Sequence, residues 1–72
     1  MNYEIYYVES DDDGTPIGLS RVVEDERGVR GENYLGGRWV NTPRVIRLAM
    51  DPLWAERISE REAKQVMKRL HA

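Results

Sequence analysis

A chain of 72 residues has room for one hydrophobic core, so residues 1–72 are predicted to form a single domain. Its 40% hydrophobic and 33% charged residues are typical of a folded chain, and the absence of cysteine excludes disulfides and thiolate metal sites. A net charge of −2 and a pI near 5.3 argue against a dedicated nucleic-acid-binding protein.

The first third of the chain predicts a β-hairpin. Residues 2–9 alternate in the manner of a strand, and because both faces are apolar we expect a central strand. Residues 17–24 form a second alternating segment. The turn-forming composition of residues 10–16, which includes Gly14, predicts that these two strands pair antiparallel.

Two weaker strands are predicted next. Residues 29–35 are interrupted by Gly31, which predicts a β-bulge at that position. Gly36-Gly37 indicates a tight turn into a short fourth strand at residues 38–40. The sheet is therefore predicted to be a three- to four-stranded antiparallel β-meander over about residues 2–40.

A short helix is predicted after the sheet. Asn41 or Thr42 is suited to cap it, with Pro43 at the first helical position. Most of its side chains are apolar, so we expect the helix to be buried through Val45, Ile46, Leu48, Ala49 and Met50. Asp51-Pro52 breaks this helix and is also suited to cap a further helical turn, so the conformation of residues 51–58 stays open.

The C-terminal segment predicts an amphipathic helix that runs to about His71. Ser59 and Glu62 have the spacing of a capping box, and Ile58 precedes them as a hydrophobic staple. An apolar stripe follows at helical spacing: Ala63, Val66, Met67 and Leu70. We predict an α+β fold in which this helix packs on one sheet face and the helical part covers about residues 43–71.

No group of residues predicts catalysis, a cofactor or a metal site. The single histidine, His71, lies next to the last residue, where an idle side chain is the expected reading. The run from Asp11 to Gly14 lacks the alternate ligand spacing of a calcium loop, and we interpret it as a hairpin turn. The chain is therefore predicted not to be an enzyme.

Charge is unevenly distributed along the chain. Residues 1–26 carry eight acids against one arginine, whereas residues 27–48 carry five arginines against one glutamate. Trp39 is expected in the core. For Trp54 two roles are equally expected: a lid of the core or an exposed anchor of an interface. The candidate partner-binding residues are Arg38, Arg44, Arg47 and Trp54.

The order of turns and caps resembles that of a known group of proteins. Gly14-x-Pro16-x-Gly18-Leu19-x-Arg21, a lone Trp39 before a short helix, and Ile58-Ser59-Glu60-x-Glu62-Ala63 follow one another along the chain. This layout is similar to that of small uncharacterised α+β proteins of actinobacteria and their phages. The resemblance implies a bacterial or phage protein and brings no activity or site residues with it.

The sequence leads to three functional hypotheses. The first is a non-enzymatic interaction protein, cytoplasmic and with a homodimer as one option, that presents a charge-polarised surface to a macromolecular partner. The second is a nucleic-acid-binding protein that uses the basic segment from Arg27 to Arg47, and the third is a small enzyme whose site is completed by dimerisation. No signal peptide or membrane span is predicted, so we expect no association with a membrane. The partner that we expect is a protein.

Overall fold

The computed structural model describes residues 3–51 and 53–71, and within them it contains a five-stranded antiparallel sheet and two helices. The α+β class predicted from the sequence is therefore correct. In chain order the elements are β1 (Tyr3–Ser10), β2 (Pro16–Asp25), β3 (Gly28–Leu35), β4 (Arg38–Asn41), α1 (Arg44–Leu48), β5 (Glu56–Ile58) and α2 (Glu60–His71). The strand order is β4-β3-β2-β1-β5. The side chain of His71 lies outside the described part of the chain, as do Asn2 and Pro52.

The predicted hairpin is confirmed. β1 pairs antiparallel with β2 and lies between β2 and β5, as expected for a strand that is apolar on both faces. In the connecting turn, the Thr15 amide donates to the Asp11 carboxylate over 3.0 Å, and Gly14 takes a positive φ of 87°. The aspartates of this turn therefore fix the hairpin backbone.

The predicted bulge at Gly31 is wrong. Strands β2 and β3 pair without a register shift from Ser20–Asn33 to Asp25–Gly28. Gly31 lies instead where α1 approaches the sheet, because a Cβ atom at this position would be 2.8 Å from the Val45 Cβ. The glycine therefore serves packing between a strand and a helix rather than a kink in the strand.

The two helices pack on opposite sides of the sheet. Tyr6 and Leu19 form a buried cluster with Ala63 of α2, which is fully buried, and the remaining apolar residues of α2 pack against it. Gly31 alternates with residues that point toward this cluster, so it faces the other side, where Val45 of α1 is only 1% exposed. We call these the α2 side and the α1 side.

The N-terminal cap predicted from the sequence is present at α2 and absent at α1. The capping box is present: the Glu62 amide donates to the Ser59 hydroxyl over 3.1 Å, and the Ser59 amide donates to the Glu62 carboxylate over 3.3 Å. The expected side-chain cap on α1 is wrong, because the Thr42 hydroxyl donates to the Val40 carbonyl. The helix instead follows directly from Pro43, whose backbone is already helical.

The segment whose conformation the sequence left open contains a short strand. Residues 56–58 form β5, which pairs with β1 through Tyr6–Ile58 and Val8–Glu56. The sheet therefore has five described strands rather than the predicted three or four. The prediction that Met50 is buried is also wrong, because α1 ends at Leu48 and leaves Met50 82% exposed.

Candidate interaction surface

All four residues proposed for partner binding lie on the α1 side of the sheet. Trp39 packs against the core on the α2 side, so the preceding Arg38 points the opposite way. Arg44 and Arg47 belong to α1 itself, three residues apart on its exposed surface. Trp54 stacks on a β1 ring that faces the same side. The four residues therefore extend across the sheet, from the β4 edge to β1.

Arg38, Arg44 and Arg47 form a surface that we call the arginine face. All three are exposed, and among the described residues none has a carboxylate within 4.0 Å. Two other arginines are ion-paired: Arg21 with Glu32 at 2.7 Å and with Glu4 at 3.8 Å, and Arg30 with Asp25 at 2.8 Å. The arginine face is thus left without local neutralisation, whereas Glu4 and Asp25 of the acidic first third pair with arginines of the sheet.

Trp54 is a structural anchor at the edge of this surface. Its indole N–H donates to the Glu9 carboxylate over 3.0 Å, and its ring lies 5.4 Å from the Tyr7 ring, centroid to centroid. The side chain is half-buried. Trp54 therefore holds the segment before β5 against β1, and only part of its ring is open to a partner.

Two exposed apolar side chains follow α1 in the chain, and the sequence did not identify them as site residues. Met50 is 82% exposed and Leu53 is 93% exposed. A shallow cleft of about 370 Å³ runs beside Leu53 and Trp54 along the end of β1. The only sequence signal was the Asp51-Pro52 break, which separates these side chains from the buried part of α1.

A polar and aromatic cluster closes the α2 side over β3 and β4. The Arg21 guanidinium carbon lies 4.1 Å from the centroid of the Trp39 ring, and Arg21 is also the ion-pair partner of Glu32. The Tyr6 hydroxyl donates to Glu4, and burial, followed by this contact, raises the pKa of Tyr6 to about 12. Trp39 therefore belongs to the core region, as the sequence predicted.

The acidic turns are held by local contacts. Hydrogen bonds from the Arg30 guanidinium and the Arg27 amide hold the pKa of Asp25 below its usual value. In the turn at residues 10–16, a hydrogen bond with the Asp11 side chain, followed by those from Thr15, lowers the pKa of Asp13. Within residues 3–51 and 53–71, no cluster of three potential metal ligands is present.

The described helices are also too short and too polar to cross a bilayer. No family model, curated protein or solved structure matches the chain.

Proposed function

We propose that this chain is a non-enzymatic binding protein whose arginine face docks on an acidic surface of a protein partner. One observation carries the proposal: the three exposed guanidinium groups share one side of the sheet and have no carboxylate partner within the described residues. Arginine is enriched at protein interfaces because its planar group forms paired hydrogen bonds with carboxylates.

Two exposed apolar side chains after α1 favour a protein partner over nucleic acid. Met50, whose amide donates to the Arg47 carbonyl, is 82% exposed and Leu53 is 93% exposed, and a protein interface needs such side chains to form its dry centre. Contacts with phosphates do not need them. Within the basic segment that the nucleic-acid alternative would use, Arg30 is already paired with Asp25.

The finer arrangement that supports this proposal is a meander of β1–β4 extended by β5, with α2 covering one side. In this reading α2 encloses the main core, and the α1 side is left to meet a partner.

Self-association is a second part of the proposal, and it depends on the sheet edges. β4 has four residues and β5 has three, so either edge offers only a short strand to a second copy of the chain. Pairing over so few residues predicts a weak homodimer that forms at high concentration. Sedimentation that gives a strict monomer at every accessible concentration would remove this part.

The test compares proteins captured by tagged variants after nuclease treatment, in the cell from which the chain comes. We expect Arg44→Glu/Arg47→Glu to lose a partner that the wild type retains. We expect Met50→Ser/Leu53→Ser to reduce the recovery of this partner, because both side chains are exposed. Lys64→Glu/Lys68→Glu is the matched control, since it makes the same charge change on α2. Identical recovery by wild type and Arg44→Glu/Arg47→Glu would contradict the proposal.

A further inference from the structure

The outward surface of α2 is the second basic region of the molecule. Four residues lie opposite the apolar stripe of this helix, and all four are exposed: Arg61, Lys64, Gln65 and Lys68. Together with Glu60 they line a shallow groove of about 550 Å³. We call these four residues the α2 basic face.

The charges of the α2 basic face follow the helical repeat and form no ion pair among the described residues. Its three cations occupy positions i, i+3 and i+7, which on a helix span roughly 10 Å along the axis. Within the described part of the chain, no carboxylate lies within 4.0 Å of any of them. Of the two nearby acids, Glu62 is engaged in the capping box, and Glu60, in the first turn of α2, lines the end of the same groove.

The helix that carries this face is rigidly held. Ala63 is fully buried in the core cluster, and its flanking apolar residues pack against the same cluster. The capping box fixes the start of the helix at Ser59. The three cations are therefore presented on a fixed scaffold, which reduces the entropy lost when they bind a regular array of charges.

We propose that the α2 basic face binds the phosphate backbone of duplex nucleic acid. A protein partner would need apolar side chains for its interface centre, and this face has none. Single-stranded nucleic acid is usually held by aromatic stacking, and this face also carries no aromatic side chain. Lysine, arginine and glutamine are among the side chains that contact duplex phosphates.

The test is fluorescence anisotropy with a short fluorescein-labelled DNA duplex. Three phosphate contacts predict a slope of about −2.7 in the plot of log affinity against log salt, so affinity falls on the order of 40-fold between about 50 and about 200 mM salt. Lys64→Gln/Lys68→Gln removes two contacts, and the slope should shrink to about −0.9. Glutamine retains helix propensity, and circular dichroism checks that the fold is unchanged.

Two further variants locate the site. Lys64→Arg/Lys68→Arg keeps the charges and should retain the affinity and the slope. Arg44→Gln/Arg47→Gln makes the same charge change on the other side of the sheet and should bind the duplex as the wild type does. This control also separates the two proposals, because loss of the arginine face leaves duplex binding intact.

Four results would overturn the proposal. They are the absence of duplex binding at about 50 mM salt, a slope unchanged by Lys64→Gln/Lys68→Gln, an equal loss of binding in Arg44→Gln/Arg47→Gln, and equally tight binding of a single strand of the same length. Equal binding of a polyglutamate peptide with the same dependence on Lys64 and Lys68 would assign the face to an acidic protein instead. Apart from an equal loss in Arg44→Gln/Arg47→Gln, which would assign duplex binding to the arginine face as well, these results leave the arginine face to be judged by its own experiment.

Discussion

At the scale of single residues, Gly31 controls how closely α1 approaches the sheet. A Cβ atom there would lie 2.8 Å from the Thr42 carbonyl oxygen, and the neighbouring Val45 is almost fully buried. We expect Gly31→Ala to destabilise the protein by about 1 to 3 kcal/mol, because helix and strand must move apart. Urea denaturation measures this loss.

The control for this prediction is Gly18→Ala. Gly18 also lies in a strand, but its added Cβ would meet the Glu9 side chain at 3.8 Å, an ordinary contact distance. We expect a change within about 1 kcal/mol, since alanine also restricts the unfolded chain. If both variants lose the same stability, the close approach of α1 is not the cause.

Tyr6 predicts a specific loss of stability in alkali. Its pKa is raised to about 12 in the folded protein, mainly by burial, whereas an unfolded tyrosine titrates near 10. The stability that comes from keeping this phenol neutral is therefore complete below pH ~10 and is lost as the pH rises through about 12.

Absorbance titration of wild type and Tyr6→Phe measures this effect, because the difference between the two curves belongs to one phenol. We expect that phenol to ionise late, and we expect Tyr6→Phe to show a smaller decline of stability above pH ~10. A difference curve centred near pH 10 would mean that the hydroxyl is not protected by burial and its contact with Glu4.

At the scale of elements, the capping box fixes the first turn of α2. We expect Ser59→Ala to cost about 1 kcal/mol of folding free energy, since the Glu62 amide would lose its acceptor. Glu62→Gln keeps an oxygen that can accept from the Ser59 amide, so its effect should be much smaller. Chemical denaturation of the three proteins tests this order, and equal losses would contradict the reciprocal box.

The elements predicted correctly from the sequence are those set by local chemistry. Gly36 and Gly37 take positive φ values of 58° and 82°, and the two-residue turn they predict connects β3 with β4. The capping box is likewise contained within four residues. Such features depend little on the rest of the fold, so single-chain patterns are sufficient to find them.

The features that were missed depend on contacts between distant segments. β5 contains a single apolar residue, Ile58, and becomes a strand only because β1 offers its free edge. Gly31 was interpreted as a bulge because its true neighbour, Val45, is fourteen residues away. For the same reason, the sequence assigned Met50 to the buried helix and left the role of Trp54 undecided.

At the scale of the whole molecule, the local charge of each surface matters more for binding than the net charge of the chain. The exposed acids Asp12 and Glu26 lie in turns at opposite ends of β2, roughly 30 Å apart along the strand. The arginine face and the α2 basic face lie on the two broad sides between them. A partner that contacts the arginine face or the α2 basic face therefore meets positive charge there, although the chain carries −2 overall.

This arrangement predicts that the protein is retained by a cation exchanger at pH 7 and low salt, despite its net charge of −2. Arg44→Gln/Arg47→Gln and Lys64→Gln/Lys68→Gln should each elute at lower salt, since each removes half or more of the charge from one basic surface. Asp12→Asn/Glu26→Gln is the control: it raises the net charge by two without touching either surface, so its elution should shift less. If elution instead follows net charge in all three variants, or if the wild type passes through the column, the two basic surfaces do not act as separate binding regions.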